Sequence, residues 1–205
     1  ADPATATASE LMRMADVIAH ELAHMWFGNL VTMAWWEGIW LKEAFATFME
    51  MAIVNAFKPE WRRWEQFSRD RAPAFAVDSL SSTRAIEFPV FSPDEAEAMY
   101  DVLTYEKGAA VVRMLEQFMG EDRFRDGIRH YLKSHAYGNT VTTDLWDALE
   151  ASSGDPVRSI MDSWIYQAGH PLVEVTRTDV GVTLSQNIFR FDGSGERIWN
   201  IPMSL

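Results

Sequence analysis

Two histidines four residues apart, His20 and His24, stand inside a run whose apolar residues keep a helical period. Leu11, Met14, Ile18, Leu22 and Met25 recur at that spacing from about Ser9 to Phe27, with Ser9 placed to cap the start and Gly28-Asn29 to stop it. A helix makes residues i and i+4 neighbours on one face, so both imidazoles can reach one ion, and Glu21 lies beside that face. Zinc takes nitrogen and oxygen ligands in a tetrahedron and, in catalysis, leaves one position for water. Two histidines are too few, so the fold must bring a third donor to this face from elsewhere.

Downstream, Glu37, Glu43 and Glu50 are the candidates. Glu37 adjoins Gly38 in an aromatic turn and has no helix to hold it. Glu43 falls in the first turns of a helix expected over Leu41 to about Phe57, which can pack antiparallel and aim a carboxylate back at the pair. The alternative His-rich zinc pattern needs Gly and His three and six residues after His24, where Phe27 and Leu30 stand instead. Histidines on helical faces are more often core residues than ligands; the placed carboxylate and the lack of competing cysteines favour metal here. Thr47 and Glu50, one and two turns beyond Glu43, can each hydrogen-bond a ligand imidazole, although a solvated surface is the ordinary place for such a Glu. His130, His135 and His170 lack comparable spacing and are read as structural.

Further along, Glu60 to Phe91 is less regular, and Ser92-Pro93 reads as an N-cap followed by Pro at the first helical position. Helices are expected over Thr104–Met119, from an Asp122 cap to about Lys133, and from a Thr142 or Thr143 cap to near Gly154. A last one opens at Asp155-Pro156 and closes at Gly169. From Leu172 the pattern changes to three β-branched and aromatic runs, VEVTRT, VTLSQNIF and IWNIPMSL. The expectation is a mostly α chain: a helical domain over residues 1–170, then the first strands of a following β domain over 171–205. Three strands alone leave bare edges, so the last unit reads as cut.

Eighteen basic against thirty acidic residues give a net charge of −12, and no basic run breaks the balance. That disfavours nucleic acid and anionic membrane as partners. With no cysteine, disulfide scaffolds, Cys-ligated zinc and a Cys nucleophile are excluded, and a reducing, cytoplasmic setting is expected. No apolar run approaches transmembrane length. Ala1 to Ser9 lacks the features of a signal peptide, and without an initial Met the natural start is expected to lie upstream.

The stretch VIAHELAHMWFGNLVTMAWWEGIWLKEAFATF, Val17 to Phe48, closely resembles the M1 family of zinc aminopeptidases. That family's signature is HEXXH, eighteen residues, then Glu, the spacing from His24 to Glu43. LTYEKGAAVVRML at Leu103 to Leu115 and SSTRAIE at Ser81 to Glu87 are similar to two further family segments, and GHPLVEV to its passage into a β domain. The resemblance implies a thermolysin-like catalytic domain, a single Zn2+ on His20, His24 and Glu43, and Glu21 as general base in peptide hydrolysis. It also gives Tyr105 the role of donating to the oxyanion; the residues alone would place that tyrosine as a buried aromatic at a helix start. Lys42 stands where the family often has Asn, Ala44 where Gly is common, and Ala85 where Pro is usual. The family's upstream motif for the substrate's free amino group is absent, so exopeptidase specificity rests on the resemblance. The expected partner is a peptide, together with missing upstream and downstream domains. The rival readings are an endopeptidase of the same zinc class and a catalytically dead peptide-binding domain.

Overall fold

A computed structural model describes residues 5–203; residues 1–4 of the N-terminal stretch and 204–205 of the third β-run lie outside it. Helix α1 spans Ala8–Ala23. Its cap is Thr7 rather than Ser9: Glu10 N–H donates to Thr7 Oγ1 at 3.2 Å, and Thr7 N–H donates to Glu10 Oε2 at 2.8 Å. The two bonds satisfy N-terminal donors reciprocally. The helix stops at Ala23, short of Phe27, and His24 closes it with its N–H on the His20 carbonyl at 3.2 Å. Its buried face carries Asp16, Ala19 and Ala23, whereas the apolar stripe of Met14, Ile18, Leu22 and Met25 is exposed. Periodicity located the stripe correctly but not the side that the rest of the chain covers.

Strand β1 (Val31–Met33) and a 3-10 turn (Trp36–Ile39) lead into α2 (Trp40–Phe57). Trp40 is fully buried, and its indole N–H is shared between Glu87 Oε2 at 2.7 Å and Thr142 Oγ1 at 3.1 Å. An aromatic side chain of this size contributes about 3 kcal/mol by burial, and here it fixes the first turn of α2 one turn before Glu43. The segment after α2 contains a 3-10 turn (Pro59–Trp61) and three short helices, α3 (Arg63–Asp70), α4 (Ala72–Asp78) and α5 (Pro93–Glu97). Ser92 caps α5 as expected, accepting from Glu95 N–H at 3.3 Å.

The helix expected from Thr104 divides into a π-turn (Leu103–Lys107) and α6 (Gly108–Met119). At Gly108 a Cβ would lie 2.6 Å from the Ala44 Cβ, so the missing side chain lets α6 close onto α2. Next come α7 (Glu121–Ser134), capped by Gly120 rather than Asp122, and α8 (Thr142–Ser153), capped by Val141. Helix α9 (Val157–Ile165) ends four residues before Gly169, because the Gly169 N–H goes instead to Asp78 Oδ1 at 2.9 Å. The main core gathers Trp40, Phe45 and Phe48 of α2 with Val112, Leu115, Leu145, Trp146, Leu149, Met161 and Ile165.

Two small sheets complete the chain. Strand β1 pairs in parallel with β2 (Gly138–Thr140), Val31 opposite Gly138, a pairing that the sequence pattern does not reveal. Strands β3 (His170–Thr178) and β4 (Gly181–Phe189) form an antiparallel hairpin, with His170 opposite Phe189 and Thr178 opposite Gly181. The third β-run forms no strand among the described residues. Side chains take the place of a ladder there: Gln186 exchanges both of its amide bonds with the Trp199 backbone at 2.9 Å, and Asn200 N–H donates to Ser163 Oγ at 3.0 Å. The chain is mostly α, and among the described residues no helix is long and apolar enough to cross a membrane.

Candidate metal centre

Helix α1 is held against its neighbours by a buried cation. Arg63 of α3 donates from Nε to Asp16 Oδ1 at 2.9 Å and stands 3.4 Å from Asp70. Asp16 lies one turn before His20, so this pair sets the rotation that turns His20 inward. Along the α1–α2 contact, His24 meets Glu43, while His20 meets both Glu43 and Glu50. That order runs the two helices in opposite directions, as the placement of Glu43 required.

Both ring Nε2 atoms face one carboxylate oxygen: His20 lies 3.5 Å and His24 3.3 Å from Glu43 Oε2. One ligand atom from each of the three residues lies within 4.8 Å of the others, the one such grouping of His, Cys, Asp or Glu found among the described residues. The opposite ring nitrogens are already engaged. His20 Nδ1 lies 3.2 Å from Glu50 Oε2, and His24 Nδ1 lies 3.0 Å from the Phe27 carbonyl. With Nδ1 engaged outward, Nε2 is the atom that each ring turns to the shared centre, where its lone pair becomes available once its proton leaves. Glu50 is therefore no solvated surface residue; its side chain is 16 % exposed and orients an imidazole. The Thr47 hydroxyl donates instead to the Glu43 carbonyl at 2.9 Å.

The electrostatics are those of a cation site with protons in the cation's place. Burial pushes the Glu43 carboxyl up, but hydrogen bonds from His20, His24 and Lys42 outweigh it and hold the group well below the ordinary carboxylate range. Burial pulls His20 down, yet the bonds to Glu43 and Glu50 raise it to about 9; His24 is raised chiefly by Glu43. A metal entering here must displace those protons, so uptake is coupled to proton release. The donor set of two imidazoles and one carboxylate fits zinc of the catalytic kind.

Glu21 sits exposed on the same α1 turn, between the two histidines. Tyr105 comes from the π-turn, its ring stacked over His20 with centroids 6.1 Å apart. Arg84 secures that turn by donating to the Ala85 and Met99 carbonyls at 2.8 and 3.2 Å, to Asp101 at 2.5 Å and to Thr104 Oγ1 at 2.9 Å. Asp101 Oδ1 in turn accepts from Leu103 N–H at 2.9 Å. Burial and the adjacent Glu43 push the Tyr105 phenol above its ordinary value, which keeps the hydroxyl a donor. Glu37, the other early candidate, does not join the cluster. Lys42, read from sequence only as a departure, places Nζ 2.7 Å from Glu43 Oε1. Its position beside a candidate ligand was the available signal.

The Peptidase family M1 domain matches residues 1–164. The chain is 44 % identical over 98 % of its length to tricorn protease-interacting factor F2 of Thermoplasma volcanium. It is 46 % identical over 91 % of its length to aminopeptidase 2, mitochondrial, of Saccharomyces cerevisiae, and 42 % over its whole length to aminopeptidase M1 of Arabidopsis thaliana. It spans only 20–26 % of those relatives' own lengths. With a family match over most of its residues and relatives this similar, the chain belongs to peptidase family M1.

Proposed function

We propose that this chain carries the zinc centre of a metallo-aminopeptidase, with His20, His24 and Glu43 as ligands. The convergence of both Nε2 atoms on Glu43 Oε2 carries the reading. Bound by these three residues, zinc would supply a Lewis acid for the scissile carbonyl and would lower the pKa of water. Glu21 takes the proton of the attacking water as a C–O bond forms at the carbonyl carbon. As the C–N bond breaks, Glu21 passes that proton to the leaving amine. Tyr105 donates its hydroxyl hydrogen to the oxyanion that develops between those steps. Glu50 and the Phe27 carbonyl keep the two rings oriented for ligation. Residues 1–170 are assigned to the catalytic unit and 171–205 to the following one. Removal of N-terminal residues, rather than internal cleavage, is supported by the relatives named aminopeptidases.

The test is Glu21→Gln in the full-length protein. Turnover of a free-amine aminoacyl reporter is expected to fall about 10²–10⁴-fold with zinc content unchanged. Wild-type turnover in that variant removes Glu21 from the chemistry. Equal rates on the reporter and its N-acetylated form favour the endopeptidase reading.

A further inference from the structure

Adjacent residues on a helix project about 100° apart and do not face one another. Lys42 and Glu43 nevertheless meet at 2.7 Å, Nζ to Oε1, with the glutamate side chain only 4 % exposed. The lysine is bent back and held in that pose. Its stem crosses Gly28, where a Cβ would stand 3.4 Å from Lys42 Cδ and 3.6 Å from His24 Nδ1, at a φ of +123° that a side chain rarely adopts. Its ammonium lies 5.5 Å from the centroid of the Tyr100 ring, an attractive cation–aromatic distance.

The two oxygens of Glu43 thus have separate partners, Oε2 the histidine pair and Oε1 the lysine. A carboxylate can ligate through one oxygen or both. Two-oxygen ligation beside the bound water would make the centre five-coordinate and fill the position that the scissile carbonyl must enter. We propose that Lys42 is a positioning residue that restricts Glu43 to single-oxygen ligation and so keeps one coordination position open. This rests on the zinc-centre reading above. It gives a role to a residue that stands where the family often has Asn, a neutral and shorter side chain that brings no cation to this point.

The experiment replaces zinc with cobalt(II) in the full-length protein and compares wild type, Lys42→Met and Lys42→Arg. Methionine keeps the stem and helix preference while removing the ammonium; arginine keeps a cationic donor. Four-coordinate cobalt absorbs visible light more intensely than five-coordinate cobalt. Wild type is expected to take up one cobalt per chain with the intense band. Lys42→Met is expected to retain the cobalt but lose intensity, with kcat down about 10–100-fold and KM unchanged, and Lys42→Arg to recover the band. A Lys42→Met spectrum and kcat equal to wild type overturn the role of Lys42 and leave the zinc centre standing. Loss of cobalt from Lys42→Met overturns it as well, since all three ligands remain. Wild type that takes up no cobalt overturns the zinc-centre reading, and this proposal with it.

Discussion

The chain holds two clusters built from the same side-chain types, a histidine, a carboxylate and a lysine, and they behave oppositely. Around Glu43, the nitrogens of His20 and His24 converge on one oxygen and leave lone pairs available once protons depart. Around Asp78, both carboxylate oxygens and the lysine ammonium are already engaged. Lys107 Nζ lies 2.8 Å from Asp78 Oδ2 and donates to the Gly169 carbonyl at 2.9 Å. Asp78 Oδ1 accepts from Gly169 N–H at 2.9 Å and from Thr83 at 3.0 Å, while His170 Nδ1 approaches Oδ2 at 3.4 Å without hydrogen-bond geometry. The Asp78 cluster joins α4, the π-turn and β3. Composition alone does not separate a structural tie from a candidate metal centre; what separates them is whether ligand atoms of three residues converge, as they do only at His20, His24 and Glu43 among the described residues.

Removing the carboxylate of the second cluster should give the largest effect. Asp78→Asn leaves Lys107 buried without its counter-ion, and unfolding in urea is expected to show a loss of about 3–5 kcal/mol, while the folded fraction keeps its zinc. Loss of zinc from folded Asp78→Asn would mean that the clusters are not independent. Next is Tyr105→Phe, for which kcat is expected to fall about 10²–10³-fold with stability and metal content near wild type. A smaller change follows from Glu50→Gln, which leaves His20 in place but with a weaker partner. Zinc affinity measured by competition with a chelator should drop about 10–100-fold; unchanged affinity would deny Glu50 its orienting part.

The last contrast is with pH, and the signs are opposite. Burial pushes Asp78 up, but His170, Lys107 and Thr83 hold it below 3.8, so its contribution is present above that pH and disappears as acid passes its lowered pKa. His20 is raised from 6.5 to about 9 in the metal-free protein, so its contribution is present below 6.5 and disappears as pH rises through about 9. Thermal unfolding of chelator-treated protein should therefore weaken on that alkaline side. The zinc-loaded form should not follow it, because a ligating ring carries no such proton.

Legibility from sequence followed the range of the interactions. Helix α2 and the end of α8 were readable because Pro59 and Gly154 act locally. The four-residue spacing of the histidines and the placement of Glu43 sufficed to foresee that these three side chains meet, since helical geometry converts both into directions. The buried face of α1 was not readable, because Arg63, 47 residues beyond Asp16, decides which side is covered. Glu50 was misjudged for the same reason: only the antiparallel contact with α1 brings His20 over it. Strands β1 and β2 have three residues each and lie a hundred positions apart, too short and too distant for any periodic signal. The third β-run had the composition of a strand, yet Gln186 and Ser163 supply bonds that no alternation pattern encodes.

In the π-turn, the Lys107 N–H reaches back five residues to the Val102 carbonyl at 3.0 Å, one residue more than an α-helix allows. Each helical residue turns the chain by about 100°, so that extra residue acts as an angular offset between α6 and the ring lying over His20. Deleting Leu103 or Thr104 would leave the run from Tyr105 onward unchanged in letters and still swing the phenol away from His20. Part of the information that sets Tyr105 over His20 is thus a count of residues, invisible to any inspection that checks only which amino acids are present.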